Sequence, residues 1–319
     1  MSKMKKIIIG AASLTVMAIM LISIICNMNN KTKKSNGCTG VGCAGCNGCK
    51  TQGGTNITTT YYQNKKEDLL KTLDNFQSMF NTELKKSNTE QEVQQITKET
   101  KEEFVRLLPQ IPYIGGDDCI LTENLEQSAV ALAFYNVEKK HGKSVEEIGD
   151  IIDDSLINSL KKESSLYKRF VGLLSNYLGR GIIKKDAIDS QKREYPGGWV
   201  STYIDGDGKS FDYGYDYSEC GIVKFYKQQN ASALMPYMCK VDFIYSDAYG
   251  QGLNRTETLA DGCQKCNFRY KLVKNNKMDL IIISLIVIAI GIPVTIIVVV
   301  TRKIVRKFKL KRNKVHNNL

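Results

Sequence analysis

Two long runs without a single charge set the terms for everything between them. Ile7–Ile25 is nineteen residues, and Leu280–Val300 is twenty-one. At 1.5 Å of rise per residue the first makes roughly 28 Å of helix, close to the hydrocarbon thickness of a bilayer. Both read as transmembrane helices, and Gly291 and Pro293 are tolerable in such a span. A cluster of basic residues follows the second run at once: Arg302, Lys303, Arg306, Lys307, Lys309, Lys311, Arg312 and Lys314. Such clusters are retained on the cytoplasmic side. The C-terminal tail is therefore expected inside and the intervening chain outside. The first run reads as an uncleaved anchor, because Ser-Ile-Ile-Cys-Asn-Met lacks the small residues of a cleavage site, and Ile25 precedes Cys26 where lipidation would want a small residue.

The expected organisation is a cytoplasmic stub and anchor (1–34), a linker (35–60), an α+β domain (61–275), a second membrane helix (276–301) and a basic tail (302–319). Charge follows the same division. Residues 1–36 carry +6 and residues 277–319 carry +8, while residues 37–276 carry −2. The basicity belongs to the ends, so the folded body lacks the footprint of a nucleic-acid binder.

The linker is rich in Gly, Ser, Asn and Thr and contains Cys38, Cys43, Cys46 and Cys49. Its composition cannot bury a core. The cysteine spacing partly matches iron–sulfur runs and can also supply four thiolates to zinc, but the usual paired spacing is missing. A cysteine-rich tether is the plainer reading.

Helical periodicity dominates the first part of the domain. Leu69, Leu73, Phe76, Phe80 and Leu84 share a face over 67–85. Ser87 with Glu90 reads as a capping box for a second helix ending at Pro109. Thr122 is expected to cap a third helix ending at His141-Gly142, and Ser144 with Glu147 to cap a fourth. A fifth is expected over 166–178, closed by Gly179. His141 is the domain's one histidine, which nearly excludes triads and HExxH zinc sites.

Strand signals follow. Trp199–Ile204, the turn Asp205-Gly206-Asp207-Gly208 and Phe211–Tyr217 read as a hairpin, with a calcium loop lacking its remaining ligands. Cys220–Gln229 reads as a short helix, and 255–259 and 267–273 as two further strands. The fold class expected is α+β, helical first, with a mostly antiparallel small sheet in the C-terminal half, flanked by two transmembrane helices.

Chemically capable side chains gather in residues 239–270: Cys239, Asp242, Arg255, Glu257, Cys263 and Cys266. On a helix Cys239 and Asp242 would share a face, and on a strand they would oppose each other. Three stretches carry a resemblance: Cys220 with the basic-apolar run after it, Met-Pro-Tyr-Met-Cys-Lys-Val-Asp-Phe over 235–243, and Arg-Thr-Glu-Thr-Leu-Ala-Asp-Gly-Cys-Gln-Lys-Cys-Asn-Phe-Arg-Tyr over 255–270. They are similar to the L-2-amino-thiazoline-4-carboxylate hydrolase family, with Asn267 where the family usually has Asp.

The resemblance implies a hydrolase that opens a C–N bond in a small cyclic amidine-type or amide compound, without a demanding cofactor, and the two apolar runs, which lie outside the resemblance, add the expectation that it is membrane-anchored. On residue type and spacing, Cys239 is a candidate nucleophile, and Asp242 and Glu257 are candidate acid/base groups. Arg255 is a candidate clamp for a substrate carboxylate, and Thr256, Thr258, Cys266 and Arg269 are further matching positions for substrate contact. The competing reading is a non-catalytic extracellular binding domain held by disulfides, pairing Cys263 with Cys266 and Cys239 with Cys119 or Cys220.

Overall fold

The structure, a computed structural model, describes residues 60–282 together with 284 and 285. The described residues 60–280 belong to one compact unit. The first apolar run, the four linker cysteines, the basic tail and most of the second apolar run lie outside the described residues. Helical backbone is seen over 276–282, where the second run begins. Among the described residues no helix is long and apolar enough to cross a membrane.

Helix α1 (Lys66–Leu84) buries Leu69, Leu73, Phe80 and Leu84, the stripe its periodicity predicts. Helix α2 (Glu90–Leu107) opens on a capping box, but two residues later than expected. The Thr89 hydroxyl accepts from the Glu92 amide, and the Glu92 carboxylate accepts from the Thr89 amide at 2.7 Å. Ser87 and Asn88 are occupied in closing α1, since both amides donate to the Leu84 carbonyl. Helix α3 (Thr122–Lys140) is buried nearly all round, through Leu125, Ala129, Leu132, Phe134 and Val137, and forms the centre of the helical core. Thr122 begins this helix without capping it; its hydroxyl bonds the Gly116 carbonyl instead. His141 closes α3 and pairs with Glu99 of α2 at 2.7 Å.

Helix α4 (Val145–Lys162) starts at the expected Ser144–Glu147 box. Helix α5 (Ser165–Ser190) contradicts the expected stop at Gly179 and runs 26 residues. Glycine costs an exposed helix about 1 kcal/mol relative to alanine. Here the turns beyond Gly179 carry Ile183 and Ala187, which are held against other parts of the fold. That packing outweighs local propensity.

Strands β1 (Val200–Asp205), β2 (Tyr213–Glu219), β3 (Leu253–Asn254) and β4 (Cys266–Tyr270) form one antiparallel sheet in the order β1-β2-β4-β3. Helices α6 (Gly221–Gln228) and α7 (Met235–Tyr249) lie between β2 and β3 in sequence. The α+β reading holds, with the sheet confined to the C-terminal half. The strand expected over 255–259 is a loop, and β3 ends just before it. Thr258 and Asp261 close a turn there, the threonine hydroxyl donating to the Asp261 carboxylate at 2.6 Å. In the β1–β2 connection Asp207 accepts from the amides of Lys209, Ser210 and Phe211, which hold its carboxyl well below the usual range together with the Ser210 hydroxyl. That carboxylate is spent on shaping its own turn.

Helix α7 is docked by two close approaches. A Cβ on Gly149 of α4 would stand 2.0 Å from the Tyr237 ring, and one on Gly172 of α5 would stand 2.0 Å from the Tyr249 carbonyl oxygen. Cys119, Cys220, Cys239, Cys263 and Cys266 are all unpaired, so the expected disulfides do not form.

Candidate active site

The alternation of β2 and β4 builds one wall. Tyr213, Tyr215 and Tyr217 stand opposite Tyr270, Phe268 and Cys266 in the β2–β4 register, so all six share one face of the sheet. Tyr215 stacks on Phe268 at 4.8 Å, and its hydroxyl lies 3.2 Å from that of Tyr270. Ile183 of α5 packs against this face.

Helix α7 supplies the chemistry. Because 235–249 is helical, Cys239 and Asp242 fall on one face at i, i+3. Arg255, just beyond β3, binds both positions. Its Nη1 donates to the Asp242 carboxylate at 2.5 Å and its Nη2 to the Cys239 carbonyl at 2.6 Å. The guanidinium lies between the rings of Phe243 (4.9 Å) and Phe268 (4.6 Å). Its side chain is 2% exposed, whereas that of Asp242 is 42% exposed. Asp242, Tyr215, Tyr217 and Cys220 are each partly accessible to water.

Burial is the leading influence on every titrating group there. It pushes the Cys239 thiol up to about 12 against the pull of Arg255, and the Cys220 thiol up to about 11. It also carries the Asp242 carboxyl above the ordinary carboxylate range, although the charge and hydrogen bond of Arg255 oppose it. Tyr217 is raised well above its usual value, first by burial and then by the charge of Asp186, with Tyr270, Cys220 and Asp242 adding to it. Asp186 lines a neighbouring cleft of about 360 Å³ together with Cys119, Ser190, Tyr195 and Trp199.

The structure thus brings Cys239, Asp242, Arg255 and Cys266 together. Cys266 is buried and its sulfur accepts from the Leu259 amide at 3.2 Å. It does not bring the other sequence candidates to them. Arg269 lies on the opposite face of β4, bound to Asp216 of β2 at 2.7 Å. The Thr256 hydroxyl accepts from Asn267, and Thr258 is committed to the Asp261 turn. Among the described residues, no hydrogen bond or ion pair joins the Glu257 carboxylate to the cluster; its amide is held by Asn267. Asn267, the departure from the family pattern, splints this loop to β4. The tyrosines 215, 217 and 270 and Cys220 escaped sequence reasoning. The period-two tyrosines signalled a strand, but not what that strand would face.

Tyrosines, thiols and one carboxyl of raised pKa, with its arginine sealed behind it, make this cluster the candidate site. The model of the L-2-amino-thiazoline-4-carboxylic acid hydrolase family matches residues 122–270, from the start of α3 to the end of β4. The segment carrying the whole cluster is therefore similar to a family of hydrolases. No curated protein and no solved structure matches the chain.

Proposed function

We propose that this body is a hydrolase acting on the C–N unit of a small cyclic amidine-type or amide compound, with Asp242 as the group that moves protons. The observation that supports this most is Asp242 itself: a carboxyl raised by burial, still partly accessible to water, and fixed by Arg255 at 2.5 Å. In a 2-amino-thiazoline carboxylate the reacting carbon lies between nitrogen and sulfur. Ionised Asp242 takes one proton from water as the water oxygen bonds to that carbon in its amidinium form. The C–S bond then breaks, the sulfur leaves with the electron pair and takes the proton back from Asp242. The hydroxyl proton passes to solvent as the carbamoyl carbonyl forms. The product is an N-carbamoyl thiol amino acid.

Burial pushes the Cys239 thiol up to about 12, so it keeps its proton at neutral pH. Water is accordingly the better attacking group, and Arg255 acts by positioning, through Asp242 and the α7 backbone. Turnover of thiazoline carboxylates and simple amides by the full chain tests this. Asp242→Asn should lower kcat by about 10²–10⁴-fold, whereas Cys239→Ser should stay within about tenfold of the wild type. An Asp242→Asn chain with undiminished kcat refutes the assignment.

We further propose that the runs 7–25 and 280–300 anchor this body at the cell membrane, facing outward, with the basic tail inside. Protease added to intact cells should remove the body. Protection of the body until the cells are lysed would refute the orientation.

A further inference from the structure

The described residues contain six arginines, and five of them meet a carboxylate. Arg106 pairs with Glu103, Arg169 with Asp279, Arg193 with Glu219, Arg255 with Asp242 and Arg269 with Asp216. Arg180 has no acidic partner among the described residues. One of its terminal nitrogens donates to the Asn176 side-chain oxygen at 2.6 Å, one turn back on α5. Its Nε is buried without a partner, and so is the Nδ2 of Asn176, a residue only 1% exposed. Both orphaned atoms are donors. Buried N–H groups are costly to leave without an acceptor, and the natural complement of a half-buried guanidinium is a planar anion accepting at two points.

The position of this pair relative to the tyrosine face of the sheet follows from the helix. Ile183, which packs on the tyrosine face of the sheet, is three residues after Arg180, so Arg180 and Asn176 continue the same stripe of α5. The Arg180 guanidinium lies 5.0 Å over the Tyr213 ring. Tyr213 stacks on Tyr270 at 5.1 Å, and the Tyr270 hydroxyl feels the charges of Asp242 and Arg255. The stacked rings of Tyr213 and Tyr270 thus connect the arginine to the surroundings of Asp242 along one face of the sheet. Arg255 cannot serve as the anchor, because it is sealed and already bound to Asp242.

We propose that Asn176 and Arg180 form the anion-binding end of the site and hold the carboxylate of the substrate, with its amidine end turned towards Asp242. This rests on the hydrolase reading for its orientation, but not for its ligand class, which follows from the orphaned donors. The probes are 2-amino-thiazoline-4-carboxylate and 2-amino-thiazoline, which lacks the carboxylate, applied to the full chain. The wild type should favour the carboxylated compound by at least about tenfold in kcat/KM, and Arg180→Gln should abolish that preference by raising KM about tenfold or more, with kcat within about threefold. Arg180→Lys keeps the charge but not the fork and should recover part of the preference. It also serves as the second variant should Arg180→Gln fail to fold.

Thermal stabilisation of the chain by 2-amino-thiazoline-4-carboxylate gives a readout independent of turnover. Stabilisation of the wild type that Arg180→Gln loses, without turnover of either compound, supports the anchor while refuting the hydrolase reading. Stabilisation or carboxylate preference retained in Arg180→Gln, or no stabilisation of the wild type, overturns the anchor.

Discussion

Replacing Arg255 by methionine removes the cation that ties the loop after β3 to helix α7. Breaking a buried ion pair by deleting one partner typically costs about 3–5 kcal/mol, because the other charge is left stranded. Asp242 is 42% exposed and can recover water or a proton, so the lower end applies once solvent screening is allowed for. Loss of the Phe243 and Phe268 ring contacts adds about 1 kcal/mol, and the methionine thioether recovers part of it. The expected cost is about 3 kcal/mol, or about 6–12 °C in Tm for a body of this size. Urea unfolding followed by the fluorescence of Trp199, the chain's one tryptophan, measures it. Once the arginine is gone, Asp242→Asn should cost almost nothing further, giving a coupling energy of at least about 1.5 kcal/mol. A single-variant cost below about 1 kcal/mol, or additivity within about 0.5 kcal/mol, would refute the claim that this pair organises the site.

Gly172→Ala should lower stability by about 2 kcal/mol or more, because the new Cβ meets the Tyr249 backbone oxygen and cannot be relieved by a rotamer change; a variant with unaltered urea midpoint would show that α5 and α7 are not so tightly apposed. The native Cys239 thiol keeps its proton up to about 12, while an unfolded cysteine loses it near about 8.5. Native protein therefore binds more protons between these values, and stability should fall as pH rises through this window. The fall should be shallower in Cys239→Ser. Alkylation of Cys239 by iodoacetamide should correspondingly keep accelerating from pH 9 to about pH 11 without a plateau, and a plateau near pH 8 would contradict the burial of that sulfur.

Local signals were legible where neighbours in sequence supply the whole interaction. Ser144 and Glu147 bond each other's backbone within one turn, so the start of α4 could be read from four residues. Thr89 was overlooked because Ser87–Glu90 has the same spacing, and only the hydrogen bonds closing α1 decide between them. Gly179 carries the composition of a helix end, yet α5 continues because its later turns pack elsewhere in the fold. The stretch 255–259 has the residues of a strand but becomes a loop, pinned by Asn267 from β4 and by its own Thr258–Asp261 turn.

By itself the chain's order of residues determined the α+β succession, the near-neutral body between basic ends, and the helical and alternating stripes, since each depends on spacing within a turn or a strand. It also singled out Cys239, Asp242 and Arg255. Only the tertiary structure decided how they are arranged: α7 puts the thiol and carboxyl on one face, Arg255 is sealed behind them, and Arg180 has no acid among the described residues. Electrostatic roles are set by enclosure and by partners distant in sequence, and neither is written in the local pattern of the chain.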